Sequence, residues 1–447
     1  MSKDELFSDL PVQTAKSASD RPIGAGRPRL REPVRDQIEL RATDVESLIG
    51  AEHPARLIWA YVQQVDLKSL EQAVRAREHT PGQAPVSPRL MLALWLYATS
   101  EGIGSARALA RLCETHDAYR WLCGGVSMNY HGLADFRTAN PEVLERLLSE
   151  HVASLSIACV INLDEVVQDG VRVRASAGAA SFRRKKTLHN ELRKAQRRIG
   201  RLKRELHDDP DASNQRIQAA KERAAQEREA RVKAALGKLA EIEAERNRRS
   251  KTNAKQVEKQ KEPRASTTDP QARIMKMADG GYRPAYNCQF GTVANGQIVV
   301  AVETTTVGSD RGLMPSMLTQ IEQRYNRRPR RYLVDGGFNK NEDTEWAADL
   351  GVNVYGPPIR SKHKTDPYAP RPEDGAGVTA WRRRMKSPHG KSVYKRRTMG
   401  ECINARFRQW GFRQFNVRSK AKIQAVLHLF ALANNILQGH RLLSIPA

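Results

Sequence analysis

The chain has 447 residues and a formal net charge of +25, from 75 Lys and Arg against 50 Asp and Glu. That length allows two to four domains, and that charge draws polyanions, with nucleic acid the natural candidate. The N-terminal MSKDELFSDL has no basic or apolar leader pattern. No run of eighteen apolar residues exists, so no membrane partner is expected. The five cysteines are scattered without CxxC or zinc spacing and read as buried thiols of a reduced, cytosolic protein.

In chain order, residues 1–40 form a polar, basic arm, RPIGAGRPRLREP, either a flexible tail or a segment for a minor groove. Residues 45–158 carry helical periodicity and predict an all-α domain of five or six helices. Ser87-Pro88 marks one helix start, and Gly102 and Gly104 mark its end. Within this domain, SARALARLCETHDAYRWLCG fits either a DNA-reading helix-turn-helix or an ordinary helical scaffold. VINLDEVVQDGVRVRASAG then reads as strand.

Residues 183–262 hold 25 Lys and Arg against 13 Asp and Glu, nearly half of the whole excess. Leu188, Leu192, Ala195, Ile199, Leu202 and Leu206 follow the 4-3 spacing of a coiled-coil seam. DDPDASN breaks the helix, and Val232, Leu236, Leu239 and Ile242 mark a second one. The expectation is a basic helical hairpin. Its outer cations, among them Arg197, Arg198, Lys203 and Arg204, either run along DNA phosphates or are simply solvated.

Beyond the hairpin, two strands turn at Asn295-Gly296. A helix follows in GLMPSMLTQIEQRYN, then short strands in RRYLVDGG and GVNVYGPP. Residues 361–392 are polar and read as a loop over the site. The chain closes with a basic helix and an amphipathic one, which turns Ile423, Val426, Leu427, Phe430 and Ile436 to one face.

Three acids stand out: Asp169 beside Gly170 in a strand, Asp335 before Gly336 and Gly337 at a strand end, and Glu401 in a helix crowded with cations. The two glycines after Asp335 would let DNA or metal approach the backbone. Carboxylates in apolar runs need pairing or a metal, and hard oxygen ligands suit Mg²⁺. Asp164 in NLDE competes with Asp169 but is placed to cap a turn. Asp310 and Glu303 read as surface or turn residues.

HPARLIWAYV, the stretch from SPRLMLALWLYATSEG to LCGG, LADFR, QDGVRVRASAG, DPQARIMKMADGGYRPAYNCQ and YLVDGGF together make the chain resemble the DDE transposases of bacterial insertion sequences. These segments look like the helical N-terminal domain and catalytic core of the insertion-sequence-1182 group. Tyr394, Arg397 and Glu401 fit the Tyr-x2-Arg-x3-Glu-x6-Lys pattern of many relatives, with Arg408 in place of the Lys. The resemblance implies an α/β protein: an RNase H-like catalytic core (159–182 and 264–440) with the helical hairpin as an insertion, preceded by the all-α N-terminal domain. It implies Asp169, Asp335 and Glu401 as catalytic ligands of two Mg²⁺ ions, with Mn²⁺ as a substitute. It also implies Tyr394, Arg397 and Arg408 as phosphate contacts, DNA ends and target DNA as partners, and a homodimer on paired ends in the bacterial cytosol. The rival readings are a transposase-derived DNA-binding protein without catalysis and a metal-dependent nuclease that cuts without joining.

Overall fold

The computed structural model describes residues 44–74, 76, 84–208, 215–252, 262–359 and 366–444. The basic arm expected over 1–40 lies outside them. Asp44–Ala447 forms one compact unit.

The first part is helical: α1 (Pro54–Gln64), α2 (Lys68–Gln72), α3 (Pro88–Ser100), α4 (Ala106–Thr115), α5 (Asp117–Cys123), α6 (Tyr130–Ala139) and α7 (Pro141–Ile157). This makes seven helices among the described residues, where the sequence predicts five or six. The single residue His116 separates α4 from α5 and caps α5 through its side chain. The Ser87-Pro88 start is as expected, with the Ser87 hydroxyl accepting from the Arg89 N–H at 3.3 Å.

A six-stranded sheet follows, built from β1 (Glu165–Arg174), β4 (Arg273–Lys276), β5 (Tyr282–Val293), β6 (Val299–Thr305), β7 (Arg331–Val334) and β8 (Asn353–Tyr355). β5 runs antiparallel to β1, β4 and β6, while β1, β7 and β8 are parallel neighbours. The β5–β6 turn falls at Asn295-Gly296 as predicted, with Gly296 at φ +94°. Helices α10 (Met314–Tyr325) and α11 (Asn341–Asp349) join the later strands.

Between β1 and β4 the chain leaves the sheet through β2 (Phe182–Arg183), α8 (Lys185–Asp208), α9 (Gln215–Thr252) and β3 (Ala265–Ser266). β2 and β3 pair antiparallel and close the base of this hairpin. The seam positions are buried as the spacing requires: Leu188 packs with Val232, Ala235 and Leu239, Ala195 and Leu202 are buried further along α8, and Leu192 and Ile199 are half-buried. The side chain of Leu206 and most of the expected break lie outside the described residues.

Two expectations fail in the C-terminal part. Residues 376–395 are not loop but α12 (Ala376–Lys386) and α13 (Pro388–Lys395). Their composition is polar, yet Val378, Trp381 and Met385 recur at helical spacing and are buried. The Ser387 hydroxyl accepts from the Gly390 N–H at 3.0 Å and starts α13. After α14 (Thr398–Gln409), the last helix α15 (Lys420–Leu443) is not amphipathic. Ile423, Leu427 and Phe430 pack into the sheet core, whereas Ala425, Leu429, Leu432 and Ile436 pack into the helical domain. A helix lying between two cores is apolar on both faces.

α15 also seals an edge. β6 pairs only with β5, so its outer backbone groups need partners. Amide side chains supply them. Asn435 accepts from Val299 N–H (2.8 Å) and donates to Val299 C=O (2.7 Å). Gln424 accepts from Thr304 N–H and donates to Val302 C=O, while Gln320 of α10 accepts from Val302 N–H. Asn435 is fully buried. Asn435→Leu leaves the Val299 N–H and C=O buried without partners and should cost about 2–4 kcal/mol. Chemical denaturation checks this, and an unchanged midpoint contradicts it.

Candidate active site

The site forms where α14 crosses β1. The buried face of α14 is Gly400, Ile403, Asn404 and Phe407, at helical spacing. Phe407 anchors it in an aromatic cluster, 5.0 Å from Phe290 and 5.3 Å from Phe430 between ring centroids. Gly400 permits the close approach: a Cβ there would stand 2.8 Å from Val167 Cγ1 and 3.4 Å from Asp169 Cβ. Val167 and Asp169 share one face of β1 by strand alternation. Beyond α14, Arg413 C=O accepts from Arg174 N–H (3.1 Å) and Phe415 N–H donates to Arg174 C=O (2.9 Å). The segment that follows the helix is therefore tied to the strand.

Asp169 is half-buried. Its Oδ1 accepts from the Gly170 N–H at 3.0 Å and its Oδ2 from the Asn404 amide at 2.7 Å. Burial pushes its carboxyl above the usual range. The Gly170 bond, the Arg397 charge and the Asn404 bond pull it back, and Glu401 adds to the push. Asp335 follows β7 directly. Gln168 pairs with Val334 in the parallel register, so Asp169 and Asp335 are the next residues on neighbouring strands. Asp335 is exposed and caps the short turn Gly336–Phe338 by accepting from Gly336 N–H at 2.6 Å.

Glu401, in the first turn of α14, is exposed and paired with Arg397. The Arg397 guanidinium lies 5.8 Å from the Tyr394 ring centroid. Burial raises the Tyr394 phenol, Arg397 lowers it, and both Asp335 and Glu401 raise it. Asp169, Asp335, Glu401, Tyr394 and Arg397 thus share one electrostatic neighbourhood.

Other expected residues lie elsewhere. Arg408 is exposed in the last turn of α14, while Arg197, Arg198, Lys203 and Arg204 are exposed on α8. Asp164 is exposed before β1, 3.9 Å from Arg330. Of the two glycines after Asp335, Gly336 faces Pro357 C=O, 3.3 Å from where its Cβ would be, whereas a Cβ at Gly337 would meet only Asp335 Oδ2 at 3.9 Å. Glu303 accepts from the Ser316 hydroxyl at 2.6 Å. Asp310 is more than a surface turn residue. It accepts from Asn287 (2.7 Å) and Gln289 (2.9 Å) and pairs with Arg172 (3.3 Å), in a network that continues through Gln168 to Tyr332 behind Asp169.

Sequence reasoning missed two residues. Asn404 stands three residues after Glu401, a helical spacing that would have flagged it. Glu165 accepts from Arg396 Nε at 2.6 Å and from Arg331 at 3.3 Å, joining the end of α13 to β1.

The donor set fits a divalent cation in kind: three carboxylates, one of them desolvated without a cation in hydrogen-bond contact. Among the described residues, no three acidic, His or Cys side chains stand close enough to form a closed ligand cluster.

Residues 43–139 match the family described as "Transposase domain (DUF772)" and residues 252–436 the one described as "Transposase DDE domain". The chain carries the domains of a DDE transposase. It is an enzyme of that class. A DDE domain implies an RNase H-like core, and three antiparallel strands beside two further parallel ones agree with it. The second match spans Asp335, Tyr394, Arg397, Glu401 and Arg408, whereas Asp169 lies between the two matches. No curated protein and no solved structure matches the chain.

A carboxyl raised by burial binds its proton more tightly folded than unfolded, so its ionisation removes stability as pH rises from the unfolded pKa through the folded one. Asp169→Asn deletes that dependence. The variant should therefore gain on the wild type, in melting temperature, as pH rises above about 4, the ordinary value of an Asp carboxyl. A parallel course of the two melting curves with pH contradicts this.

Proposed function

We propose that this transposase cuts DNA at the ends of an insertion sequence of the 1182 type and joins the freed ends to target DNA. Asp169, Asp335 and Glu401 would hold two divalent ions, Mg²⁺ or Mn²⁺. The observation that carries this reading is the convergence of Asp169 and Asp335, side by side on parallel strands, with Glu401 on the helix that crosses β1. Bound there, the ions would supply an activated water or 3′-OH and charge neutralisation at phosphorus.

The protein's own groups do the positioning. Asn404 and the Gly170 N–H fix the orientation of Asp169. Arg397, now on Glu401, is placed to turn its fork to a phosphate once that carboxylate is engaged elsewhere. Tyr394 and Arg408 extend the phosphate contacts. In this reading a homodimer brings two ends together in the cytosol, and the exposed cations of α8 follow the DNA backbone. Among the described residues, no helix is long and apolar enough to cross a membrane.

Asp169→Asn, Asp335→Asn and Glu401→Gln should each lower Mg²⁺-dependent nicking of an element-end duplex by two or more orders of magnitude and leave end binding intact. Full activity in Asp169→Asn with loss in Asp164→Asn would move the first ligand to Asp164. Nicking without joining in a strand-transfer assay would leave a nuclease, and binding without nicking a DNA-binding protein.

Replacing Arg197, Arg198, Lys203 and Arg204 together by Gln should flatten the dependence of log K on log salt by about one for each phosphate that is no longer neutralised. An unchanged slope means that the outer face of the hairpin is solvated.

A further inference from the structure

Among the described residues, two deeply buried guanidinium groups hold a carboxylate and a third does not. Arg382, 4 % exposed, contacts Asp374 at 2.6 Å, and Arg324, whose side chain is 7 % exposed, contacts Glu145 at 2.6 Å. Arg137, 8 % exposed in the last turn of α6, has no acidic partner among the described residues. Its Nη1 donates to Gly104 C=O at 2.5 Å and its guanidinium lies 4.6 Å from the Trp95 ring centroid. Its Nε has no hydrogen-bond partner. Burial lowers its pKa to about 10, which still leaves it charged at neutral pH. A buried charge is costly, and Gly104 C=O and the Trp95 ring offset it only in part, with no carboxylate among the described residues to complete the pairing.

Arg137 lines a cavity of about 90 Å³ between the helical domain and the segment that follows α14. Trp95, Thr99, Trp410 and Phe412 wall it, and the exposed Gln414 and Asn416 stand at its mouth. The Asn416 amide nitrogen lies beside Gly104, 2.9 Å from where a Cβ would be, and makes no hydrogen bond among the described residues. The space holds several waters and is enough for one tetrahedral oxyanion. An apolar occupant would leave the guanidinium unpaired, whereas an anion completes it.

We propose that Arg137 and Asn416 form an oxyanion site that takes a single phosphate group. Its occupant is either free phosphate entering from solvent or one phosphodiester of bound DNA. Once filled, the site ties α6 to residues 410–417 and so braces the C-terminal end of the helix that carries Glu401 and Asn404.

The test uses the full-length protein. Inorganic phosphate, titrated against chloride at equal ionic strength, should raise the melting temperature of the wild type saturably. Arg137→Gln should abolish that phosphate-specific rise. Since this variant removes a buried anchor and risks misfolding, Asn416→Asp serves as the second arm. It keeps Arg137 and sets a carboxylate at the mouth. It should raise the phosphate-free melting temperature and weaken the phosphate effect tenfold or more. The salt dependence of duplex binding separates the two sources: a slope shallower by about one in Asn416→Asp assigns the site to a DNA phosphate, and an unchanged slope assigns it to free phosphate. No phosphate-specific rise in the wild type, or an equal rise in wild type and both variants, overturns the proposal and leaves a water-filled cavity.

Discussion

The close contact of Gly400 with β1 is the constraint on which the candidate site rests. A side chain at this position would meet Val167 and lift α14 away from the strand. With the helix seated, Asn404 reaches Asp169 at 2.7 Å and Glu401 comes into the same electrostatic field. The contact also explains why one acid is desolvated while the other two are exposed: α14 covers Asp169, whereas Asp335 sits beyond the end of its strand and Glu401 at the outer edge of the helix. Neutralising such a desolvated carboxylate is a task for a cation, which links the packing of one helix to the chemistry proposed for the site.

The same helix is held from a distance. Its aromatic face enters the cluster of Phe290, Phe412 and Phe430, and Phe430 belongs to α15. α15 in turn contributes to both hydrophobic cores and satisfies the outer edge of β6 through Gln424 and Asn435. The helical domain and the sheet therefore share a structural member, so strain at their junction has a short path to α14. The cavity at Arg137 lies on that junction.

Much of this was legible in the sequence, for identifiable reasons. The hairpin was readable because Leu188, Ala195 and Leu202 repeat at coiled-coil spacing, and that pattern is local. Asp335 was readable because a short apolar run ends there, and Glu401 because Tyr394 and Arg397 precede it at a recognisable spacing. What escaped depends on contacts between distant segments. Helices α12 and α13 were hidden by their charge, since only Val378, Trp381 and Met385 betray a buried face. The second apolar face of α15 has meaning only once two cores lie beside it. Asp310 looks like a turn residue until Asn287, Gln289 and Arg172 are brought around it by the sheet. Asn404 was missed because an uncharged side chain among so many cations attracts no notice.

The central claim is that Asp169, Asp335 and Glu401 act as one cation site. Anomalous diffraction from Mn²⁺ in crystals of the protein bound to an element-end duplex tests it most directly. The account predicts anomalous peaks bounded by these three carboxylates, with Arg397 released from Glu401 toward a DNA phosphate. Peaks at Asp164 in place of Asp169, or no metal at this site in an otherwise ordered complex, would contradict it.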